Sequence, residues 1–458
     1  MKLSSLGFAL GALLASFVFA KTPTELKDAA QAAGSPKKQV TLSRDHQWPA
    51  WRGPAATGVA AHAKPPTEWS ESKNVRWKVP IPGLGHSTPV VWGDTVFLTA
   101  AVPYGPKLPP KPDTAPGAHD NSPVTQRHRF IAMAIRRTDG TVRWKKTCTE
   151  LLPHEGGHYT GSLASQSPVT DGELFFAYFG SRGLYCFDAT GEEKWRKDLG
   201  RMQTKHAHGE GSSPVLHEDG IAINWDHEGK SFVALYDKTT GKERWKVARD
   251  VVTSWATPIV VEHGGKDQLI VSATPNLVSY DVSNGKVLWE CGGLSHNVVA
   301  SPVSAGGMVF AGSSYEKRYL FAMSLDGAKG DITGTKNIVW SRTRSTPYVP
   351  SPLLYRGGLY FLRHYQGILS RVDARTGAEP SGPFRLERMR EIYASPVAAD
   401  GKIFITDRLG ITIVMSADEN PRFLGRNRLA DRINASLALV DREIFIRGER
   451  YLYCIGAK

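Results

Sequence analysis

A segment of about 44 residues recurs eight times along this chain of 458 residues. Each copy opens with a Ser-Pro or Thr-Pro pair, followed by three β-rich apolar runs with Gly-containing turns between them. The openers are Thr88-Pro89, Ser167-Pro168, Ser213-Pro214, Thr257-Pro258, Ser301-Pro302, Ser351-Pro352, Ser395-Pro396 and the degenerate Ser436-Leu437. Four short strands per copy at this period are typical of a β-propeller blade. We therefore expect an all-β fold, an eight-bladed β-propeller of four-stranded blades.

The third copy illustrates how the residues make a blade. Pro214 suits the first position of an inner strand, where no ladder donor is needed. The segment from Asp237 to Gly241 favours a tight turn before the outer strand that contains Trp245. A Trp that recurs with the repeat buries a large apolar area between blades, so we interpret the series as structural blade-docking residues. The series is Trp77, Trp144, Trp195, Trp245, Trp289 and Trp340.

The two ends of the repeat region complement each other. Residues 74–78 have the sequence of an outer strand, including Trp77, but no blade precedes them. The last copy, from Ala438 to Ile455, has three strands and no fourth. This predicts that an N-terminal outer strand closes the ring in the last blade, which removes an open sheet edge.

The N-terminus predicts export. Residues 1–20 resemble a signal peptide, with Lys2, an apolar run from Leu6 to Phe19, and a small residue before Lys21. The run is too short for a permanent membrane span, and no Cys lies near the cleavage site, so we do not expect a lipoprotein. We predict a polar linker over 21–47 and the propeller over 48–458. The mature protein is expected to be periplasmic or secreted, soluble and monomeric.

Cysteine spacing and charge leave two questions open. Cys148, Cys186, Cys291 and Cys454 form no metal or haem motif, and they are either buried thiols or include a Cys148–Cys186 disulfide between neighbouring blades. The formal charge of +13 indicates either a solvated surface or attraction to an anionic partner. We expect no nucleic-acid partner, because no nucleic-acid motif is present and the chain is exported.

One face of the predicted propeller carries most of the chemistry. Loops that follow second strands, or that enter a new blade, share this face and hold ten of the fourteen histidines together with a Pro-rich insertion over 103–123. The candidate binding residues are His86, His206, His208, Glu210, Asp226, His227 and Trp255. Histidines next to carboxylates suit zinc or another divalent metal, although they can equally bond loop backbone. We leave the metal open at this stage.

The segment 187–191 with Trp195, the opening Trp51-Arg52-Gly53-Pro54 and the segment 346–352 resemble the pyrroloquinoline-quinone-type propeller repeat family. That family includes quinoprotein alcohol dehydrogenases and a non-catalytic lipoprotein of the outer-membrane β-barrel assembly machinery. The dehydrogenases carry adjacent cysteines over their quinone and a Ca²⁺ ligand set, and no two cysteines are adjacent here.

The expected function follows from this resemblance and from the missing cysteine pair. We expect a non-enzymatic exported scaffold that binds a protein or an anionic envelope ligand, with neither pyrroloquinoline quinone nor a divalent metal as cofactor. The alternative is a quinone- or metal-dependent oxidoreductase with a site at the propeller axis, where Trp255 would lie beneath the quinone.

Overall fold

A computed structural model describes residues 42–111 and 113–457. The predicted signal peptide and residues 21–41 of the predicted linker lie outside the described residues. At the end of that linker, Arg44–His46 forms a short 3-10 helix. The side chain of Gln47 accepts a hydrogen bond from the Gly93 N–H at 2.8 Å, so this segment packs on the first blade.

Eight four-stranded antiparallel units account for nearly all the secondary structure. Blades 1 to 4 consist of Val90–Trp92, Thr95–Tyr104, Arg127–Arg136 and Val142–Leu151; Val169–Thr170, Leu174–Tyr178, Leu184–Asp188 and Glu193–Lys197; Val215–His217, Gly220–Trp225, Ser231–Asp237 and Glu243–Arg249; and Ile259–His263, Lys266–Ser272, Leu277–Asp281 and Val287–Cys291. Blades 5 to 8 consist of Val303–Ala305, Met308–Ser313, Tyr319–Ser324 and Ile338–Arg342; Leu353–Tyr355, Gly358–Leu362, Ile368–Asp373 and Phe384–Arg385; Val397–Ala399, Lys402–Thr406, Ile411–Ser416 and Phe423–Arg428; and Ala438–Val440, Glu443–Arg447, Tyr451–Ile455 and Val75–Pro80. The eight-bladed propeller predicted from the repeat is confirmed.

Smaller elements decorate this ring. Gly330–Asp331 adds a short parallel strand to blade 4, and Asn121–Ser122 pairs with Gly157–His158 outside the blades. Gly180–Arg182 and Lys205–Ala207 are single 3-10 turns. In the eighth sheet, the N-terminal strand Val75–Pro80 pairs antiparallel with the third strand, with Trp77 opposite Cys454.

The Ser or Thr of each opener links its blade to the next one. Seven openers donate their backbone N–H to the side-chain hydroxyl oxygen of the following opener at 2.7–3.0 Å: Thr88, Ser167, Ser213, Thr257, Ser301, Ser351 and Ser395. The series ends at the Ser436 hydroxyl, and the Thr88 hydroxyl is buried without a partner in the described structure. The opener pattern therefore reflects hydrogen bonding between neighbouring inner strands.

The recurring tryptophans lie between blades. The indole N–H of each of five residues donates to a backbone carbonyl in the turn of the next blade at 2.8–3.1 Å: Trp77, Trp144, Trp195, Trp245 and Trp340. Trp289 donates instead to the Gln268 side chain of its own blade. Gly241 has a φ of +67°, and a Cβ at this position would lie 2.8 Å from the ring of Trp195. The Asp-x-x-Thr-Gly turn thus ends in glycine because the preceding blade's indole occupies that space.

The four cysteines are all buried and unbridged. Burial raises the pKa of each thiol above its ordinary value, so these cysteines are protonated packing residues at neutral pH.

Candidate functional site

The Pro-rich insertion folds onto the histidine-containing loops of blades 2 and 3. His206 Nδ1 lies 3.1 Å from the carbonyl oxygen of Pro116, and His208 Nε2 lies 3.2 Å from that of His119. In return, the Asn121 side chain donates to the His206 carbonyl at 2.8 Å. His206 and His208 therefore bind the backbone of the insertion.

Four histidine rings meet beneath the insertion. His208 packs against His119, His158 and His206 with ring centroids 4.8–5.4 Å apart. Burial, together with these neighbouring rings, lowers the pKa of His208 to about 4. The charged form of the His208 ring is therefore disfavoured in this partly buried position.

Each of the two carboxylates in the candidate set forms an ion pair with an arginine. Glu210 pairs with Arg182 at 2.8 Å and accepts the Ser181 N–H at 2.7 Å. Asp226 pairs with Arg249 at 2.8 Å, and their side chains are 0% and 2% exposed. Each pair is a buried, hydrogen-bonded structural ion pair.

His227 is also fully engaged. Its Nδ1 accepts the backbone N–H groups of Gln203 and Gly229, both at 3.1 Å, while its Nε2 lies 3.3 Å from the Lys230 carbonyl oxygen. With Nδ1 accepting and Nε2 donating, the neutral ring has no nitrogen left for a metal.

His86 lies at the axial end of blade 1. Its Nε2 lies 3.2 Å from the side-chain nitrogen of Asn434, which precedes the inner strand of blade 8. Burial, with the nearby charges of Arg447 and Arg408, lowers the pKa of His86 to about 3. This residue is a neutral hydrogen-bond acceptor over the whole physiological pH range.

The space beside Trp255 does not fit a quinone. The Trp255 indole donates to the Gly209 carbonyl at 2.7 Å and lies against Gly211. The adjoining cavity, which Glu210 and Asp226 also line, has a volume of about 10 Å³. That is room for about one water molecule, which the buried, unpartnered oxygen atoms of Gln166 and Asn224 could bond.

The structure contains one open cavity near the predicted site and one group of metal-type ligands elsewhere. A cavity of about 320 Å³ lies between the insertion and the loops of blades 2 and 3, lined in part by His154, Glu155 and Lys205. Among the described residues, metal-type ligand atoms converge only at His217, Glu218 and Asp267, where His217 already pairs with Asp267 at 2.9 Å. This group is on the opposite face, at the turns that follow first strands.

Sequence reasoning missed an aromatic stripe on the loop face of blades 5 to 7. We define it as Tyr315, Tyr348, His364, Tyr365 and Tyr393. Consecutive rings along the stripe are 5.8, 4.6, 4.0 and 5.8 Å apart between centroids. The members come from four different loops, so no local spacing signals the stripe. The available signal was only that aromatic residues recur in these loops.

Two rings of the stripe are exposed, the other three are half-buried, and positively charged side chains lie in the same loops. Tyr315 is 59% exposed and Tyr365 36%. Four exposed arginines share these loops, and none forms an ion pair with a described carboxylate: Arg318, Arg344, Arg388 and Arg390.

Two acidic residues of the same loops, Glu316 and Glu391, are paired, whereas Glu387 is exposed and forms no ion pair among the described residues. Glu316 bonds Lys205 at 3.0 Å, and Glu391 bonds Arg408 at 2.9 Å. Because the four arginines outnumber Glu387, the unpaired charge around the stripe is positive on balance.

Within the described residues, no helix is long and apolar enough to cross a membrane. No curated protein sequence matches this chain significantly. Structural similarity is found with BamB from Moraxella catarrhalis, at 12% identity and a TM-score of 0.52, covering 78% of this chain and 99% of that one. Quinohemoprotein alcohol dehydrogenase from Comamonas testosteroni aligns at 10% identity and a TM-score of 0.60, covering 95% of this chain and 84% of that one.

A europium-containing methanol dehydrogenase aligns at 11% identity and a TM-score of 0.57, covering 88% of this chain and 89% of that one. At these identities the solved structures share the fold alone. The family model described as outer membrane protein assembly factor BamB matches residues 128–231 and 229–457, which is well over half of the sequence. This chain therefore belongs to that family of propellers with pyrroloquinoline-quinone-like repeats.

Proposed function

We propose that this protein is a non-enzymatic binding scaffold of the cell envelope, and that it docks an acidic segment of a partner protein on the aromatic stripe. The observation that carries the proposal is the stripe itself, five aromatic side chains in line across three blades with unpaired arginines in the same loops. Aromatic residues and arginine dominate the energetic centres of protein interfaces.

The rest of the loop face supports a scaffold more than a catalyst. The polar atoms of Glu210, Asp226 and His227 form ion pairs or hydrogen bonds within the protein. His206 and His208 bind the insertion. A closed ring of sheets positions the stripe rigidly, so little ordering entropy opposes binding.

The positive charge around the stripe favours an acidic partner segment. Arg318, Arg344 and Arg390 have no internal carboxylate to release, so an acidic segment gains their attraction without breaking an existing pair. An envelope location is supported by the predicted signal peptide and by the family.

The proposal is tested by photo-crosslinking in the native envelope. A photoreactive amino acid replaces Tyr365 in one strain and, as the control, Phe423 in another, because Phe423 is 62% exposed but lies on the outer strand of blade 7. We expect one protein to crosslink at position 365 through a segment rich in Asp and Glu, and not at position 423.

Mass spectrometry then locates the crosslinked segment, and the purified partner is titrated against the purified propeller. Crosslinks of equal yield at both positions, no crosslink at 365, or a captured segment without acidic residues would contradict the proposal.

A further inference from the structure

The N-terminal segment from Trp48 to Ala60 runs across the turn face, opposite the aromatic stripe. Trp48 pairs with Val91 of blade 1, the Pro49 carbonyl accepts from Thr170 of blade 2, and Val59 bridges to Ala398 of blade 7. The motif Trp51-Arg52-Gly53-Pro54 therefore lies over the axis on this face.

Arg52 projects from this segment into the inner strands. Its Nη1 donates to the Pro396 carbonyl at 2.6 Å, and its Nη2 donates to the carbonyls of Pro352 at 2.6 Å and Thr57 at 2.9 Å. Both prolines belong to the openers of their blades. Arg52 thus ties the segment to blades 6 and 7.

The charge of Arg52 is not neutralised. The residue is 1% exposed, forms no ion pair with a described carboxylate, and has a buried Nε–H without an acceptor. Burial lowers its pKa to about 9, which still leaves the guanidinium charged at neutral pH. A buried charge that is only hydrogen-bonded to carbonyls is costly, and a bound anion would offset that cost.

Arg52 also lines a cavity of about 340 Å³. The other walls are mainly apolar and include Trp51, Pro258 and Ile259. Of the ionisable lining residues, Arg44 and Glu218 offset each other, and His217 is paired with Asp267. The cavity therefore has apolar walls and a net charge of about +1 from Arg52.

We propose that this cavity binds a carboxylate that carries an apolar chain. The carboxylate offsets the uncompensated charge of Arg52, and the chain packs on the apolar walls. A fatty acid and the C-terminus of a protein with apolar terminal residues share this chemistry, and the experiment separates them. The inference is independent of the aromatic stripe.

The probes are decanoate and acetyl-Ala-Leu-Leu, each compared with its uncharged amide. Binding is followed by calorimetry and by the fluorescence of the purified full-length protein, since Trp51 lines the cavity. We expect one acid to bind saturably. Its amide should bind at least about tenfold more weakly, because the amide carries no charge to offset that of Arg52. Which acid binds identifies the source.

Two variants locate the site. Arg52→Met should weaken binding of the acid by at least about tenfold. Ala55→Trp, at an exposed lining position, should block binding without disturbing the fold, whereas Ala61→Trp, exposed and outside the cavity lining, should leave binding unchanged. If Arg52→Met does not fold, the Ala55→Trp variant and the comparison of acid with amide still test whether the acid binds in this cavity.

Equal binding of acid and amide, unchanged binding in Ala55→Trp, or no saturable binding of either acid up to about 1 mM would overturn the inference.

Discussion

Replacing Asp226 by Asn separates a structural role from a metal-binding one. The Asp226 carboxylate bonds Arg249 at 2.8 Å and 3.3 Å and accepts the Ser254 hydroxyl at 2.6 Å. Asn keeps the size but leaves the Arg249 charge buried and unpaired. Breaking such a pair costs about 3–5 kcal/mol of unfolding free energy. With an unfolding entropy of ~2 cal/mol/K per residue over roughly 400 residues, the melting temperature should fall by about 3–6 °C.

The assay is urea denaturation of Asp226→Asn beside Asp219→Asn, with and without a chelator. Asp219 pairs with Arg244 at 2.7 Å in the same blade, but its side chain is 66% exposed, so its loss should cost less than about 1 kcal/mol. A cost below about 1 kcal/mol for Asp226→Asn would refute the structural role. So would wild-type protein losing the same stability when the chelator is added.

Three further results are expected. The fold lowers the pKa of His208 to about 4, so between pH 6.5 and pH 4 the unfolded chain binds a proton that the folded protein does not. The free energy of unfolding should therefore be highest above pH 6.5 and decline as the pH falls toward 4. Urea midpoints measured across this range should decline less in His208→Gln. Pyrroloquinoline quinone with Ca²⁺ should leave the melting temperature unchanged, since the cavity beside Trp255 is too small, and a rise of several degrees would contradict this. Ser301→Ala should cost about 1–3 kcal/mol in urea denaturation, because the Thr257 N–H loses its acceptor at 2.7 Å; a neutral substitution would show that the hydroxyl links contribute nothing.

The fold was predictable because its signals are local and repeated. Ser301-Pro302 and its counterparts mark inner strands, and a Trp such as Trp245 marks the outer strand in the first five copies. The same repetition made the unpaired outer strand around Trp77 conspicuous. No part of this reasoning needed a contact between distant residues.

The site was less predictable because its contacts are distant in sequence. His206 looked like a metal ligand until the insertion, some 90 residues earlier, was seen to bond it. Asp226 looked free until Arg249 was placed beside it. Arg52 reaches carbonyls about 300 or more residues away, and the stripe residues Tyr348 and Tyr365 come together from different loops.

We propose the aromatic stripe as the docking surface for a partner protein. The most direct measurement is the dissociation constant of the crosslinked partner for wild type, Tyr315→Ala/Tyr365→Ala and the control Phe423→Ala, by calorimetry at low and high salt. We expect the affinity for the partner to fall by at least about tenfold in the double variant and to be unchanged in the control. Wild-type binding should be weaker at high salt. Equal affinity of the double variant and wild type would contradict the proposal.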